Sequence, residues 1–250
     1  MSTPSTKQRS RKALADISNF QIIKPAFKRA QSESIQWMQN YCESLNAVST
    51  DAEKTSAERY TKYGVKPELI GTRYFENPDI GSFDFSKNEI FKVGSFENNS
   101  ATKRKENSFL DPNSGANIGE RSRFFLKRSK EILESFYANT SNTSAPEQLI
   151  HVTCTGYASP SAAQALISNR KWSTGVTHAY HMGCYAAMPA IRTAQGFVAS
   201  HELAGRETRN QVDVVHTEMC SLHLNPSSDS VEQTIVHTLF ADGNIKYSLT

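Results

Sequence analysis

Apolar positions fall into short clusters with two different periods. Leu149-Ile150-His151-Val152-Thr153-Cys154 and Val212-Asp213-Val214-Val215-His216-Thr217 are compact β-branched runs, the mark of strands buried on both faces. Residues 174–182 form a third such run. Near the N-terminus Phe20-Gln21-Ile22-Ile23 predicts a first strand ended by Pro25, and near the C-terminus Ile245-Lys246-Tyr247-Ser248-Leu249 begins another. Helical spacing covers residues 27–47, where Ile35, Met38, Tyr41, Cys42 and Leu45 share a side. It recurs at 51–63, with Gly64 as a C-cap, and at 120–138, where Phe124, Phe125, Ile132, Leu133 and Phe136 recur. Small residues from Ser161 to Ile167 predict a further helix. Strands alternating with helices in the second half argue an α/β fold with a mainly parallel central sheet covered on both faces.

One stretch stands apart. Val176 to Met182 reads as a buried strand, Gly183 as a pivot, and 184–200 as a helix opening on Cys184. Ala186, Ala187, Ala190, Ile191, Ala194, Phe197 and Val198 leave that helix without a wide polar face, so it belongs inside, against a sheet or its own copy. Amide groups at a helix start would favour the thiolate of Cys184, which is the candidate nucleophile. The plainer alternative is a small core residue. Pro189 within this helix is expected to kink its first turns.

Composition changes the picture at three places. The net charge of +3 rests on Lys7, Arg9, Arg11 and Lys12, which precede the first acidic residue, Asp16. Residues 1–18 are therefore a disordered basic tail, 19–250 are the folded domain, and the body has no bias towards nucleic acid. From 76 to 119 the chain turns to Asn, Ser, Gly and Pro, which predicts a long irregular surface excursion. No apolar run reaches the roughly 20 residues of a membrane span, and no signal-peptide core follows the tail. Four cysteines without a CxxC pair (Cys42, Cys154, Cys184 and Cys220) fit a reducing cytoplasm.

His178-x-x-His181-x-x-Cys184 and His216-x-x-x-Cys220-x-x-His223 have spacings that zinc could use. On a strand, however, His178 and His181 point to opposite faces, so no metal site is assigned. Glu218, just past an apolar strand, is read as a buried carboxylate bonded to backbone or as a surface residue, with acid–base chemistry the lesser reading.

Three segments carry a family resemblance: Met182-Gly183-Cys184-Tyr185-Ala186-Ala187, Val215-His216-Thr217-Glu218-Met219-Cys220-Ser221-Leu222-His223-Leu224, and Leu239-Phe240-Ala241-Asp242-Gly243. Together they resemble bacterial type III polyketide synthases, the chalcone/stilbene synthase relatives of the thiolase superfamily. Leu149 to Cys154 followed by Thr155-Gly156-Tyr157-Ala158-Ser159-Pro160 is similar to that family's strand and turn before the dimer contact. Arg59-Tyr60-Thr61-Lys62 through Arg73-Tyr74-Phe75 is similar to its coenzyme-A-facing region. The resemblance covers roughly residues 20–250.

It implies a thiolase-like α/β/α half-domain and a homodimer with no bound cofactor, taking coenzyme A thioesters as substrates. Cys184 would accept an acyl group from acyl-CoA and extend it with malonyl-CoA by decarboxylative Claisen condensation. Phe240 would gate the acyl pocket. Cys220, Leu222, His223 and Gly156 would line the substrate cavity, and Arg59, Lys62 and Lys66 would meet the coenzyme A phosphates. A histidine and an asparagine from a C-terminal half complete such sites, and that half is expected to be missing or supplied by a separate chain. The alternatives are a ketoacyl-carrier-protein synthase III-like enzyme and a non-catalytic partner subunit.

Overall fold

A computed structural model describes residues 15–46, 56–91, 116–141, 144–203, 211–225, 228 and 230–250. The centre is a five-stranded sheet, in spatial order β1 (Ile17–Ile23), β7 (Asp242–Leu249), β6 (Val212–Met219), β4 (Gln148–Thr153) and β5 (Gly175–Tyr180). β5, β4 and β6 are parallel; β7 runs against β6, and β1 runs against β7. Four of the five strands therefore point the same way, as the apolar runs predicted.

Alternation along the central strands feeds two cores. Leu149 of β4 and Val215 and Met219 of β6 join the cluster on one face. Ile150 and Val152, with Val212 and Val214, join the other. The first face is covered by α3 (Ile118–Phe136) and α4 (Ala162–Arg170), and its core extends to α1 (Gln31–Asn46). The second face is covered by α5 (Ala187–Leu203), which buries Ala190, Ala194 and Val198. α3 starts on a reciprocal cap: Asn117 accepts from the Glu120 amide while the Glu120 side chain accepts from the Asn117 amide. α4 starts on the same arrangement at Ser161 and Gln164.

The boundaries differ from the sequence reading in instructive ways. Residues 27–30 are not helical; they form β2 (Phe27–Ala30), paired with β3 (Thr72–Phe75). β1 takes in Ile17 and Ser18, and Asp16 pairs with Thr250 through backbone bonds, so the ordered body begins before residue 19. α2 (Ser56–Tyr63) occupies the second half of the helix expected over 51–63, and 51–55 lie outside the described residues. α6 (Val231–Leu239) was not foreseen. Its Val231, Ile235 and Leu239 are exposed and its buried side is Thr234, His237 and Thr238, so its apolar period does not mark the buried face.

The expected surface excursion is corrected for residues 76–91. Ile80, Ile90 and Phe91 are fully buried, and Phe91 packs edge-on to Trp37 and Tyr41 of α1. Asp79 holds this segment by accepting from the amides of Glu89, Ile90 and Phe91. Side-chain acceptors replaced secondary structure as the partners of the buried backbone. The remainder of the excursion, 92–115, lies outside the described residues.

Candidate active site

β5, β4 and β6 all end on the same side of the sheet, where ligands of open α/β sheets gather. Cys154 and Cys220 directly follow β4 and β6, and Cys184 lies four residues beyond β5. Beyond Tyr180 the chain turns sharply through His181 (φ 57°) and Gly183 (φ 73°). A Cβ on Gly183 would meet nothing within 4 Å, so its glycine serves the left-handed backbone rather than close packing. The His181 amide donates to the Thr153 carbonyl at 3.0 Å, which brings this turn beside the end of β4.

Cys184 is a free, exposed thiol in that turn. α5 begins at Ala187, so the cysteine precedes the helix by three residues instead of opening it. Pro189 falls in the first turn, where a missing amide hydrogen leaves no intrahelical bond unmade, so the reason to expect a kink falls away. The lead-in strand was expected to be buried. In fact β5 is an edge strand with no fully buried residue.

Glu218 organises the neighbouring strand ends. Its carboxylate accepts from the Cys154 amide at 3.0 and 3.1 Å and from the Thr155 hydroxyl at 2.8 Å. The Cys154 thiol points at the same carboxylate, 3.7 Å away. This is the backbone-bonded carboxylate anticipated for Glu218. Burial, then the charges of Glu218 and Cys184, push the Cys154 thiol up to about 11. Burial, followed by Asp242, Glu218, Cys154 and Cys184, pushes Cys220 up to about 12.

Asp242, from the Leu-Phe-Ala-Asp-Gly segment, fixes the next layer. It accepts from the Glu76 amide and from both the amide and the hydroxyl of Ser221, at 2.7 to 2.8 Å. It thereby fastens the start of β7 to the short 3-10 turn Cys220–His223. Burial raises its carboxyl to about 6 despite these donors.

A cavity of about 340 Å³ opens beside these elements. Its lining takes in Gly156, Leu222 and His223, three of the residues expected at a substrate cavity, together with Cys154, Tyr157 and His181. The His223 Nε2–H donates to the Thr155 carbonyl at 2.8 Å, which holds the ring at the cavity wall. Arg121 of α3 enters the lining and reaches the Leu222 carbonyl at 2.6 Å. Cys184, Cys220 and Phe240 are not in this lining. Phe240 is half-buried just past α6, and its carbonyl accepts from Arg73 at 2.9 Å.

The three basic residues expected at coenzyme A phosphates lie on α2 and the turn after it. Lys62 and Lys66 are exposed, and Lys66 is bonded to the Thr61 carbonyl. Arg59 is half-buried, and its charge acts on His237 of α6. Arg73, in the same expected coenzyme-A-facing region, is buried, so it does not face solvent. Its guanidinium donates to the His237 and Phe240 carbonyls and to the Ser34 hydroxyl, closing the end of α6.

Behind the site, His151 is fully buried between Tyr180, 2.6 Å from Nδ1, and Thr217, 2.9 Å from Nε2. A neutral imidazole suits two such partners, with one nitrogen donating and the other accepting. Burial, then the His178 and His216 charges, lowers its pKa to about 3. Sequence reasoning assigned no role to Cys154, Thr155, Arg121 or Asp242. Each gains its place from contacts across at least two elements, which no local spacing reports. Among the described residues no group of three or more His, Cys, Asp or Glu side chains could hold a metal ion, and no helix is long and apolar enough to cross a membrane.

No family model matches the chain. Over 97 residues it is 30% identical to Pks18, an alpha-pyrone synthesis polyketide synthase-like protein of Mycobacterium tuberculosis; the match takes in 38% of this chain and 23% of that protein. A 66-residue segment, 26% of this chain, is 39% identical to a Dictyostelium discoideum polyketide synthase, of which it is 2%. Among solved structures, PKS-I of the brown alga Ectocarpus siliculosus superposes with a TM-score of 0.65 at 23% identity, over 94% of this chain and 56% of that one. The C-terminal type III domain of Steely1 from Dictyostelium superposes with a TM-score of 0.63 at 19% identity, again over 94% and 56%. The chain thus spans about half the length of these structures, and it carries the thiolase-like α/β fold of type III polyketide synthases, resembling their N-terminal half.

Proposed function

We propose that the chain supplies the nucleophile half of a type III polyketide synthase-like acyltransferase, with Cys184 as the acyl acceptor. The observation that carries this reading is an exposed thiol in the tight turn between β5 and α5, a turn whose His181 lines the cavity. The Cys184 sulfur attacks the thioester carbonyl of acyl-CoA, the carbonyl–sulfur bond breaks, and coenzyme A leaves as its thiol. Decarboxylation of malonyl-CoA then supplies a carbanion that attacks the enzyme-bound thioester, forming the new carbon–carbon bond and freeing Cys184.

Condensation on this reading needs a C-terminal half, in the same or another chain, to stabilise the thioester enolate. Gly156, Cys220, Leu222 and His223 would line the space for the growing chain, with Phe240 as its gate. Arg59, Lys62 and Lys66 would meet the coenzyme A phosphates as charge-assisted donors. The open edge of β5 supports a homodimer.

Incubation with an acyl-CoA followed by intact mass measurement tests the loading step. The expected result is one acyl adduct that maps to Cys184 and is absent from Cys184→Ser. An unmodified wild-type chain, or an adduct retained by Cys184→Ser, refutes the assignment. Malonyl-CoA against malonyl-carrier protein as extender separates this reading from the ketoacyl-carrier-protein synthase III type.

A further inference from the structure

Cys184, Cys154 and Cys220 come from separate parts of the sequence and meet at one edge of the sheet. They sit at or just beyond the ends of β5, β4 and β6, three adjacent parallel strands. The Cys184 charge acts on both of the others. The backbone shows why: Thr153 pairs with Tyr180, and the His181 amide bonds the Thr153 carbonyl, so the chain passes the end of β4 on its way to Cys184. The two thiols differ in setting. Cys184 is exposed, while the half-buried Cys154 points its thiol at Glu218.

We propose that Cys184 and Cys154 form a peroxide-responsive pair, in which Cys184 is the sulfur oxidised and Cys154 the thiol that resolves it into a disulfide. The Cys184 thiolate attacks a hydroperoxide oxygen; the O–O bond breaks, hydroxide or an alkoxide leaves and takes up a proton from water, and the sulfur becomes a sulfenic acid. The Cys154 sulfur attacks that of Cys184. The S–O bond breaks, and the departing hydroxide takes the Cys154 proton and leaves as water. Two thiols are oxidised and one peroxide is reduced. A protonated, carboxylate-bound Cys154 suits the resolving role, because it is a poor first target for peroxide. The pair requires thiol chemistry alone, and stands whether or not Cys184 carries acyl groups.

The test is hydrogen peroxide, added in modest excess to the reduced 250-residue chain at neutral pH and followed by intact mass and non-reducing peptide mapping. The expected result is a loss of about 2 Da, the mass of the two hydrogens given up in forming a disulfide. The free thiol titre should fall from four to two, with Cys184 linked to Cys154, and dithiothreitol should restore it. Cys220→Ser should still form the link. Cys154→Ser should instead leave a sulfenic acid on Cys184 that dimedone captures. Oxidation of Cys184 to the sulfinic acid with no link, a link to Cys220 or Cys42, or a link only between chains overturns the proposal. So does a Cys184 that peroxide leaves untouched.

Discussion

Gly156 offers the sharpest test of how the cavity wall is built. A Cβ added there would lie 2.2 Å from Phe125 Cγ, 2.3 Å from Cδ1 and 2.5 Å from Cδ2, seated on the ring itself. Carbon atoms in good contact sit about 3.5–4.0 Å apart, so the methyl overlaps the ring by more than 1 Å. Phe125 has little room to yield, since it is 2% exposed in the core under α3. Overpacking of this kind costs about 1–3 kcal/mol, and a rigid aromatic neighbour argues for the upper part of that range. Gly156→Ala should therefore lose about 2–3 kcal/mol in urea unfolding, read from the midpoint at constant slope. Phe125→Leu alone should cost about 1–2 kcal/mol, as a core truncation smaller than removal of the whole ring. The double variant should cost clearly less than the sum, because the smaller side chain makes room for the methyl. Gly156→Ala within about 0.5 kcal/mol of the parent would refute the reasoning, that being the range of ordinary surface substitutions. Strict additivity with Phe125→Leu would refute it equally.

Three further outcomes follow from the buried polar groups. Burial holds His151 near pKa 3 and His216 and His237 near 4, below their ordinary 6.5, so between these values the unfolded chain binds the extra protons. Their contribution is present above pH 6.5 and is lost as pH falls towards 4, at up to about 1.4 kcal/mol per pH unit for each imidazole. Asp242, raised to about 6 from 3.8, works in the opposite sense between those values, so urea titrations should show net loss below pH 6.5; constant stability from pH 7 to 4.5 would contradict the burial argument. Arg73→Met should cost about 3 kcal/mol or more, by stranding the His237 and Phe240 carbonyls and the Ser34 hydroxyl, whereas a loss under about 1 kcal/mol in urea would show that water replaces the guanidinium. Glu218→Gln removes the charge that helps keep Cys154 protonated, so Cys154 should alkylate with iodoacetamide several-fold faster at pH 8; an unchanged rate would mean that burial alone protects it.

The sequence by itself determined the sheet and most of what covers it. Runs such as Leu149–Cys154 and Val212–Thr217 are apolar at consecutive positions, and only a strand covered on both faces buries both sets of side chains. The glycine before Cys184 likewise announced a turn, since a left-handed residue was needed between β5 and α5. Local pattern failed where partners are remote. Residues 76–91 look like surface chain because they are polar and aperiodic, yet Asp79 and the Trp37–Phe91 contact draw them into the core. α6 buries threonine and histidine against α1 and α2 and leaves Val231, Ile235 and Leu239 outside, because Tyr60 and Gln31 bond the polar side of that interface. Only tertiary structure decided which groups surround the candidate nucleophile. Cys154, Cys220 and Glu218 are neighbours through strand order, which depends on which strands pair and not on how far apart they lie in the chain.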